Sequence, residues 1–509
     1  MPPLDFDSVT QYHDIFHRNR KIMFQKSLLS NAAIGSIIGK QRFKDYYTTR
    51  CFMGLNEIER HIAGGERCHL VGIGGVSMSP LAEVLRGMGV SITGSDINDS
   101  PAIRRLRSVG IDVTIGHSAD NVLGADFLIR TAAAREDNVE IIKARELGIP
   151  VFERSQAWGY IMSGYKNAIC VSGAHGKTTT TSMITHILLA SGADPTIMIG
   201  GTLPILGCGY RVGNGDVIAV EADEYYNSFH NFCPTVAIVL NVDADHLDFF
   251  KDIDDLKNSF RKFASLVPDS GYIVCNGDDE NTMKALAPLG RELFTFGMDD
   301  GARVRGVNVD ASGRNPSMDV MLDGEPFCKI SLSTPGVQNL KNALAAAAAA
   351  IVLEIPAKTI EESLRGFTGA GRRFEFKGKC NGADVYDDYA HHPREIRAVL
   401  DAVSMLGYSR VILAFQPHTF SRTRALFSDF VTELSRADIT LLAQIFAARE
   451  INDAGITSDV LAASIPGARC FAALSEIAAE IASIARKGDI VLTVGAGDIY
   501  KVGEELTKQ

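Results

Sequence analysis

Lys177 and Thr178 are the residues of this chain whose type and setting speak most directly of chemistry. They close the turn Gly173-Ala174-His175-Gly176, which follows an apolar run at 168–171 and precedes a stretch of helical period at 182–189. Small residues at such a turn let successive backbone N–H groups face one anion, and the new helix adds its positive end. A lysine there reaches the β- and γ-phosphates of a nucleotide, and the hydroxyl after it takes Mg²⁺. The longer phosphate-loop pattern would have its first glycine where Val171 stands, so this is a short variant. A Gly-Lys-Thr at a ligand-free strand–helix junction is the bland alternative, and the strand before it and the helix after it favour the phosphate.

Two further apolar runs, 216–223 and 235–246, turn polar at their carboxyl ends, where Glu221 and His246 stand. Ligands of open α/β sheets sit outside those ends, which puts both residues beside the ion that Lys177 and Thr178 attend. A plain structural histidine is the other reading of His246. Asn339 and Asn342, three apart, fall on one helical face leading into the alanine run 343–350, expected to be a close-packed helix. Nearer the start, Gly72-Ile73-Gly74-Gly75-Val76-Ser77 joins a strand at 68–71 to a helix, and a strand at 90–93 leads to Asp96. Such a turn admits a diphosphate to the helix N-terminus, with the acid on a ribose. Ser77 occupies the third glycine's place, which supports a diphosphate better than NAD. A tight βα turn with Asp96 as a helix cap fits the same residues.

These residues need sheets to hold them. A chain of 509 residues, 46% hydrophobic, is too long for one core and suggests about three domains. Alternating strand and helix patterns imply an α/β protein with parallel sheets, divided at 53–166, 167–370 and 371–509. Residues 1–52 show no clear period and are expected to be an extension of unknown role before a first helix that follows Met53. The net charge of −10 argues against a nucleic-acid partner. Nine scattered cysteines without a C-x-x-C pair indicate neither zinc nor a disulfide framework. No run reaches the roughly 18 apolar residues of a membrane span, and the start lacks a signal pattern, so a cytoplasmic protein without membrane insertion is expected. Oligomeric state has no signal in the sequence.

Taken in order, the motifs resemble those of the Mur ligase family. They are Gly72-Ile73-Gly74-Gly75-Val76-Ser77-Met78-Ser79, Gly173-Ala174-His175-Gly176-Lys177-Thr178-Thr179-Thr180, Glu221-Ala222-Asp223-Glu224, Asp245-His246-Leu247-Asp248, Asn339-Leu340-Lys341-Asn342-Ala343, Gly371-Arg372-Arg373-Phe374, Asp388-Tyr389-Ala390-His391-His392-Pro393 and Phe415-Gln416-Pro417-His418. The resemblance covers all but the first fifty-odd residues. It implies a three-domain architecture: a Rossmann-like N-terminal domain, a central P-loop ATPase domain and a Rossmann-like C-terminal domain. It implies ATP-dependent amide formation through an acyl phosphate, with Mg²⁺, and points within the family to L-alanine and the carboxylate of UDP-N-acetylmuramate as substrates in peptidoglycan precursor synthesis. Closure of the domains is expected, since residues of all three serve one reaction.

By the same resemblance Lys177 bridges the β- and γ-phosphates, Thr178 and Glu221 hold one Mg²⁺, and His246 ligates a second. Gly173, Ala174, His175, Gly176, Thr179, Asn339 and Asn342 belong to the ATP site, with Arg373 approaching the phosphates from the third domain and Asp388 on the ribose side. Gly74, Gly75, Val76, Ser77 and Met78 hold the UDP diphosphate, with Asp96 and His117 near the uridine. Tyr389, His391 and Arg422 line the amino-acid pocket, where an arginine pairs with the carboxylate. Some family members carry an arginine directly after the Phe-Gln-Pro-His motif; here Thr419 takes that place, leaving the carboxylate to Arg422 with Arg424 as helper.

Other readings stay open at this point. A recycling ligase that adds a tripeptide to the same UDP-sugar shares most of these motifs, and folate polyglutamylation is a more distant sibling. An NAD-dependent oxidoreductase with an unrelated nucleotidase domain predicts NAD at Gly72 to Ser77. A P-loop regulatory switch gives no reason for three sets of polar strand ends.

Overall fold

The structure is a computed structural model that describes residues 55–244, 249–448, 450–452 and 455–508. The extension expected at 1–52 and His246 lie outside the described residues. By contacts the chain divides into two units, Met1–Gly164 and Tyr165–Gln509.

The first unit opens with helix α1 (Leu55–Gly64) and holds a five-stranded sheet: β1 (Arg67–Val71), β2 (Ser91–Asp96), β3 (Asp112–Ile115), β4 (Phe127–Arg130) and β5 (Val151–Glu153). Its order is β3-β2-β1-β4-β5, and every pairing is parallel. The order reverses direction at β1, which makes the carboxyl end of β1 the switch point where such sheets take ligands. Helices α2 (Met78–Gly87), α3 (Pro101–Ser108) and α4 (Val139–Glu146) supply the β1–β2, β2–β3 and β4–β5 crossovers, a 3₁₀ turn (Ala119–Val122) lies between β3 and β4, and α5 (Arg154–Ser163) follows β5. The strand expected at 90–93 runs on to Asp96 through Gly94. A Cβ there would come within 2.5 Å of Ile73 and 2.8 Å of the Leu70 carbonyl, so only glycine lets the turn after β1 fold back on β2.

The second unit carries two sheets. The larger has ten strands: β6 (Asn167–Ser172), β7 (Thr196–Leu203), β8 (Cys208–Arg211), β9 (Val217–Glu221), β10 (Val236–Val239), β11 (Tyr272–Asn276), β12 (Phe294–Gly297), β13 (Val304–Asp310), β14 (Ser317–Leu322) and β15 (Glu325–Ser331). They follow the order β15-β14-β13-β12-β11-β10-β6-β9-β7-β8. The strands from β13 through β7 pair in parallel, and antiparallel partners close each edge. The hydrophobic runs that end in Glu221 and Val239 lie inside it, buried as continuous apolar strands must be. Helix α6 (Lys177–Ala190) leaves β6, and α7 (Val337–Val352) packs against it. Every residue from Ala343 to Ala350 is buried, as the alanine-rich helix was expected to be.

The smaller sheet has β16 (Glu375–Cys380), β17 (Ala383–Asp388), β18 (Arg410–Phe415), β19 (Ile439–Leu442), β20 (Arg469–Cys470) and β21 (Asp489–Val494), in the order β16-β17-β21-β18-β19-β20. All pairs but β16·β17 are parallel. Helices α8 (Pro393–Ser404) and α9 (Phe420–Ala425) follow β17 and β18. Two tight hairpins were not anticipated, Asp323-Gly324 between β14 and β15 and Asn381-Gly382 between β16 and β17. Both residues of each turn have positive φ, the primed geometry that suits twisted strands. The fold is α/β, with parallel sheets built from strand–turn–helix units, as expected.

Candidate functional site

The phosphate loop leaves the buried end of β6 with two glycines in the left-handed half of backbone space, Gly173 (φ 142°) and Gly176 (φ 87°). A Cβ on Gly173 would come 2.9 Å from Leu240 Cβ, and one on Gly176 would meet Asn342 Oδ1 at 2.6 Å. Asn241 staples the loop. Its Oδ1 accepts from the His175 N–H (2.9 Å), its Nδ2 donates to the His175 carbonyl (3.0 Å), and its own carbonyl takes the Ala174 N–H (3.3 Å). Gly176 has no side chain with which to cap α6, the arrangement in which a helix offers its first N–H groups and positive end to an anion.

Lys177 Nζ donates to the Gly173 carbonyl (2.6 Å) and to both oxygens of Glu224 (3.1 and 2.9 Å), an acid only 1% exposed. The ammonium is thus held between the start of the loop and a buried acid. Thr178 Oγ1 donates to Glu221 Oε2 at 3.2 Å, and Glu221 Oε1 takes the Gly200 N–H at 2.6 Å. Burial pushes the Glu221 carboxyl up, against the pull of that N–H, Lys177 and Arg373. A hydroxyl and a carboxylate at this separation are the hard oxygen donors that Mg²⁺ takes, and a cation would relieve the buried charge. The Thr178–Glu221 pair fits the ion; His246 lies outside the described residues.

The loop opens on a cleft of about 370 Å³ lined by elements of both sheets of this unit. Of the residues assigned to ATP, His175, Gly176, Thr179, Asn339, Asn342, Arg373 and Asp388 line it. Asn339 Nδ2 also bonds the Pro335 carbonyl (2.8 Å), tying down the start of α7. The two arginines of the Gly371-Arg372-Arg373 motif separate cleanly. Arg372 is spent on structure, donating to Asp387 (2.9 Å) and the carbonyls of Gly495 (2.6 Å) and Gly497 (3.1 Å). Arg373 faces the cleft, its guanidinium 5.1 Å from the Tyr389 ring. Asp388 is pushed up to about 6 by burial, which outweighs Arg373 and the N–H groups of Ala390 and Phe374.

His175 is the densest node. Its Nε2 lies 3.2 Å from Asp243 Oδ2, its Nδ1 3.3 Å from Glu395 Oε1, and the His392 ring is 5.1 Å away. Burial would lower its pKa, but the two acids raise it to about 9. Arg394 Nη1 reaches the same Asp243 Oδ2 at 2.8 Å.

Beyond Arg373 the residues assigned to the amino acid gather around a histidine given no role from sequence. Tyr389 and His391 rings are 5.6 Å apart, His391 and His418 5.8 Å, and Arg422 Nη1 donates to His418 Nδ1 at 3.4 Å. Burial and the neighbouring His391 and Arg422 push His418 down to about 4, so it is neutral and can accept. Thr419 adopts φ 68°, its N–H held by the Phe446 carbonyl (2.9 Å).

In the first unit the turn after β1 is built around Asp96, whose Oδ2 accepts the Gly74 N–H at 2.9 Å. The Gly75 carbonyl takes the N–H groups of Met78 and Ser79, starting α2 over a buried Met78, while Val76 projects 62% exposed. Ser77 Oγ accepts from Arg154 (2.9 Å) and Trp158 (3.1 Å). His117 lies after β3 and donates to Glu140 (2.8 Å).

Sequence reasoning assigned no role to Asn241, Asp243, Glu224, Glu395, Arg154 or His418. Glu224 and His418 stood inside quoted motifs, and Glu395 completes a capping box with His392 that could have been read.

Three family models match in succession: the Mur ligase family catalytic domain over residues 67–166, the Mur ligase middle domain over 171–350, and the Mur ligase glutamate ligase domain over 372–497. The chain is 42% identical to a UDP-N-acetylmuramate–L-alanine ligase of Clostridium novyi, over 86% of this chain and 96% of that one. The crystal structure of a UDP-N-acetylmuramate-alanine ligase from Thermotoga maritima superposes with a TM-score of 0.74 at 28% identity, covering 87% of this chain and 98% of that one. A murein peptide ligase from Psychrobacter arcticus shares the fold at 24% identity and a TM-score of 0.66, covering 87% of this chain and 98% of its own. With this phosphate loop, these sheets and these matches along its length, the chain belongs to the Mur ligase family.

Proposed function

We propose that this chain is an ATP-dependent ligase that joins L-alanine to the carboxylate of UDP-N-acetylmuramate in peptidoglycan precursor synthesis. The observation that carries the reading is the cleft of the second unit, where the phosphate loop of one sheet and Arg373 and Asp388 of the other line the same space. The substrates follow the relatives named for them at 42% and 28% identity. A murein peptide ligase shares the fold at 24% and a UDP-N-acetylmuramate:L-alanyl-gamma-D-glutamyl-meso-diaminopimelate ligase matches 60% of this chain at 27%, so the choice of L-alanine rests on the 42% relative. A cytoplasmic site of action is part of the same proposal.

The chemistry explains the side chains. A sugar carboxylate oxygen attacks the γ-phosphorus of ATP and ADP leaves. The amine of alanine then attacks the acyl carbon, inorganic phosphate departs and the amine gives up a proton. Both steps bring anions together, and fixed cations must offset that charge. Lys177, the first residue of α6, meets the β- and γ-phosphates, and Arg373 meets them from the part of the cleft that the other sheet supplies. Thr178 and Glu221, and in the family's pattern His246, would hold Mg²⁺, which would supply the remaining neutralisation. Asn339 and Asn342 flank the nucleotide, and Asp388 takes the ribose side. Gly74 to Met78 hold the UDP diphosphate beside Asp96 and His117. Tyr389, His391 and Arg422 receive the amino acid, with Arg422 on its carboxylate.

The test is ATP-dependent incorporation across amino acids and the tripeptide, with UDP-N-acetylmuramate as acceptor. ADP, phosphate and a new amide with L-alanine are expected. No ADP release with all ingredients present, or release without an amide, would overturn the reading.

A further inference from the structure

Glu140, on the first turn of α4, is wholly buried (0% exposed), and four donors converge on its carboxylate. Ser95 Oγ–H (2.6 Å) and His117 Nδ1 (2.8 Å) donate to Oε2, while Asn121 Nδ2 (2.5 Å) and the Ser118 backbone N–H (3.4 Å) donate to Oε1. His69 Nε2 lies 3.8 Å from Oε1, beyond hydrogen-bond length. Burial would push this carboxyl up; His69, Ser95 and Asn121 together bring it down to about 2, so it stays ionised. A buried carboxylate so fully supplied with donors is costly to build unless it does something for its neighbours.

What it does is set one proton. Nδ1 of His117 faces Glu140 Oε2 and, at 3.2 Å, Ser95 Oγ, whose own hydrogen is committed to the same carboxylate. Both atoms present lone pairs, so Nδ1 carries the hydrogen. In a neutral imidazole the other nitrogen is then an acceptor. Nε2 of His117 has no partner among the described residues, and its side chain is 19% exposed at the carboxyl edge of the sheet. Exposed Ile97 and Ile115 stand close in sequence on the same edge, apolar surface of the kind a flat base covers.

We infer that Glu140 is a positioning residue that holds His117 as the Nδ1–H tautomer, so that Nε2 offers a lone pair to the ring N3–H of uracil and selects a uridine over a cytidine diphosphate-sugar. Uracil has a donor at ring position 3, where cytosine has a lone pair that would face that of Nε2. The inference rests on the reading of His117 as a uridine neighbour.

The test uses the full chain. Nitrogen-15 histidine spectra, with the His117 signal assigned by its loss in His117→Gln, should show Nδ1 protonated and Nε2 bare. In Glu140→Gln the affinity for UDP should fall about tenfold, the worth of one hydrogen bond. The preference for UDP over CDP should shrink by a similar factor, with binding of a non-hydrolysable ATP analogue unchanged. A protonated Nε2 in the unsubstituted protein, or an undiminished preference in Glu140→Gln, overturns the inference. So does a Glu140→Gln effect seen with UDP but absent with 2′-deoxy-UDP, since that places His117 on the ribose. Failure of the unsubstituted protein to bind UDP at all overturns the underlying reading of the first unit, and the inference with it. The spectrum of the unsubstituted protein decides the matter even if Glu140→Gln does not fold.

Discussion

His175 Nδ1 donates to Glu395 Oε1 across 3.3 Å, and through this one bond the phosphate loop is tied to α8 beside the other sheet. The opposite nitrogen holds Asp243, so the ring bridges two acids and is charged at neutral pH.

The bridge should make stability depend on pH. His175 titrates near 9 in the folded chain against an ordinary 6.5, because Asp243 and Glu395 outweigh burial. A raised folded pKa contributes stability that is complete below about pH 6.5 and fades as pH rises through 9. At about 1.4 kcal/mol per unit, the effect is on the order of 3 kcal/mol. Thermal unfolding of the parent and of His175→Gln should therefore differ most near pH 6 and converge above pH 9; a gap that does not change with pH counts against the bridge.

Lys177→Ala should lower kcat by roughly 10²-fold or more, since the ammonium serves the transition state. It also removes the cation beside buried Glu224, so a lower Tm is expected. The double variant Lys177→Ala/Glu224→Gln should recover Tm without recovering turnover. Recovery of turnover would show that the lysine matters only for folding.

The neighbouring arginines should part company. Arg372→Ala leaves Asp387 (1% exposed) and two carbonyls without their guanidinium and should cost about 3 kcal/mol of stability, seen as a lower denaturation midpoint. Arg373→Ala should leave the midpoint nearly unchanged and depress kcat. Equal loss of stability in both would contradict their separation.

Arg422→Ala should raise KM for L-alanine about tenfold or more through loss of a carboxylate partner, while KM for ATP stays put. A matching rise in both constants would move Arg422 out of the amino-acid pocket.

Much of this arrangement is legible in local sequence, because a phosphate loop is a contiguous device. Gly173, Gly176, Lys177 and Thr178 sit within six residues, and strand ends announce themselves by a change from apolar to polar. Glu221 could be placed on that rule alone. Partners joined only by folding could not be placed. His175 and Glu395 are 220 positions apart, and Lys177 and Glu224 are 47 apart, with no spacing rule to link them. The resemblance singled out Arg373, but nothing local shows that its neighbour Arg372 is committed to Asp387 and to the Gly495 and Gly497 carbonyls. The Asp323-Gly324 and Asn381-Gly382 hairpins did have a local signal, strong enough to have been read.

Helix α7 meets its surroundings along an unbroken stretch of six methyl side chains, Ala345 to Ala350, every one enclosed. Its second turn brings Asn342 close against the loop at Gly176. A valine or leucine deep in that stretch would shift the rod as a whole, and the displaced end is the part that lines the cleft with Asn339 and Asn342. Tolerance for bulk remote from the cleft thus sets how tightly the cleft can grip.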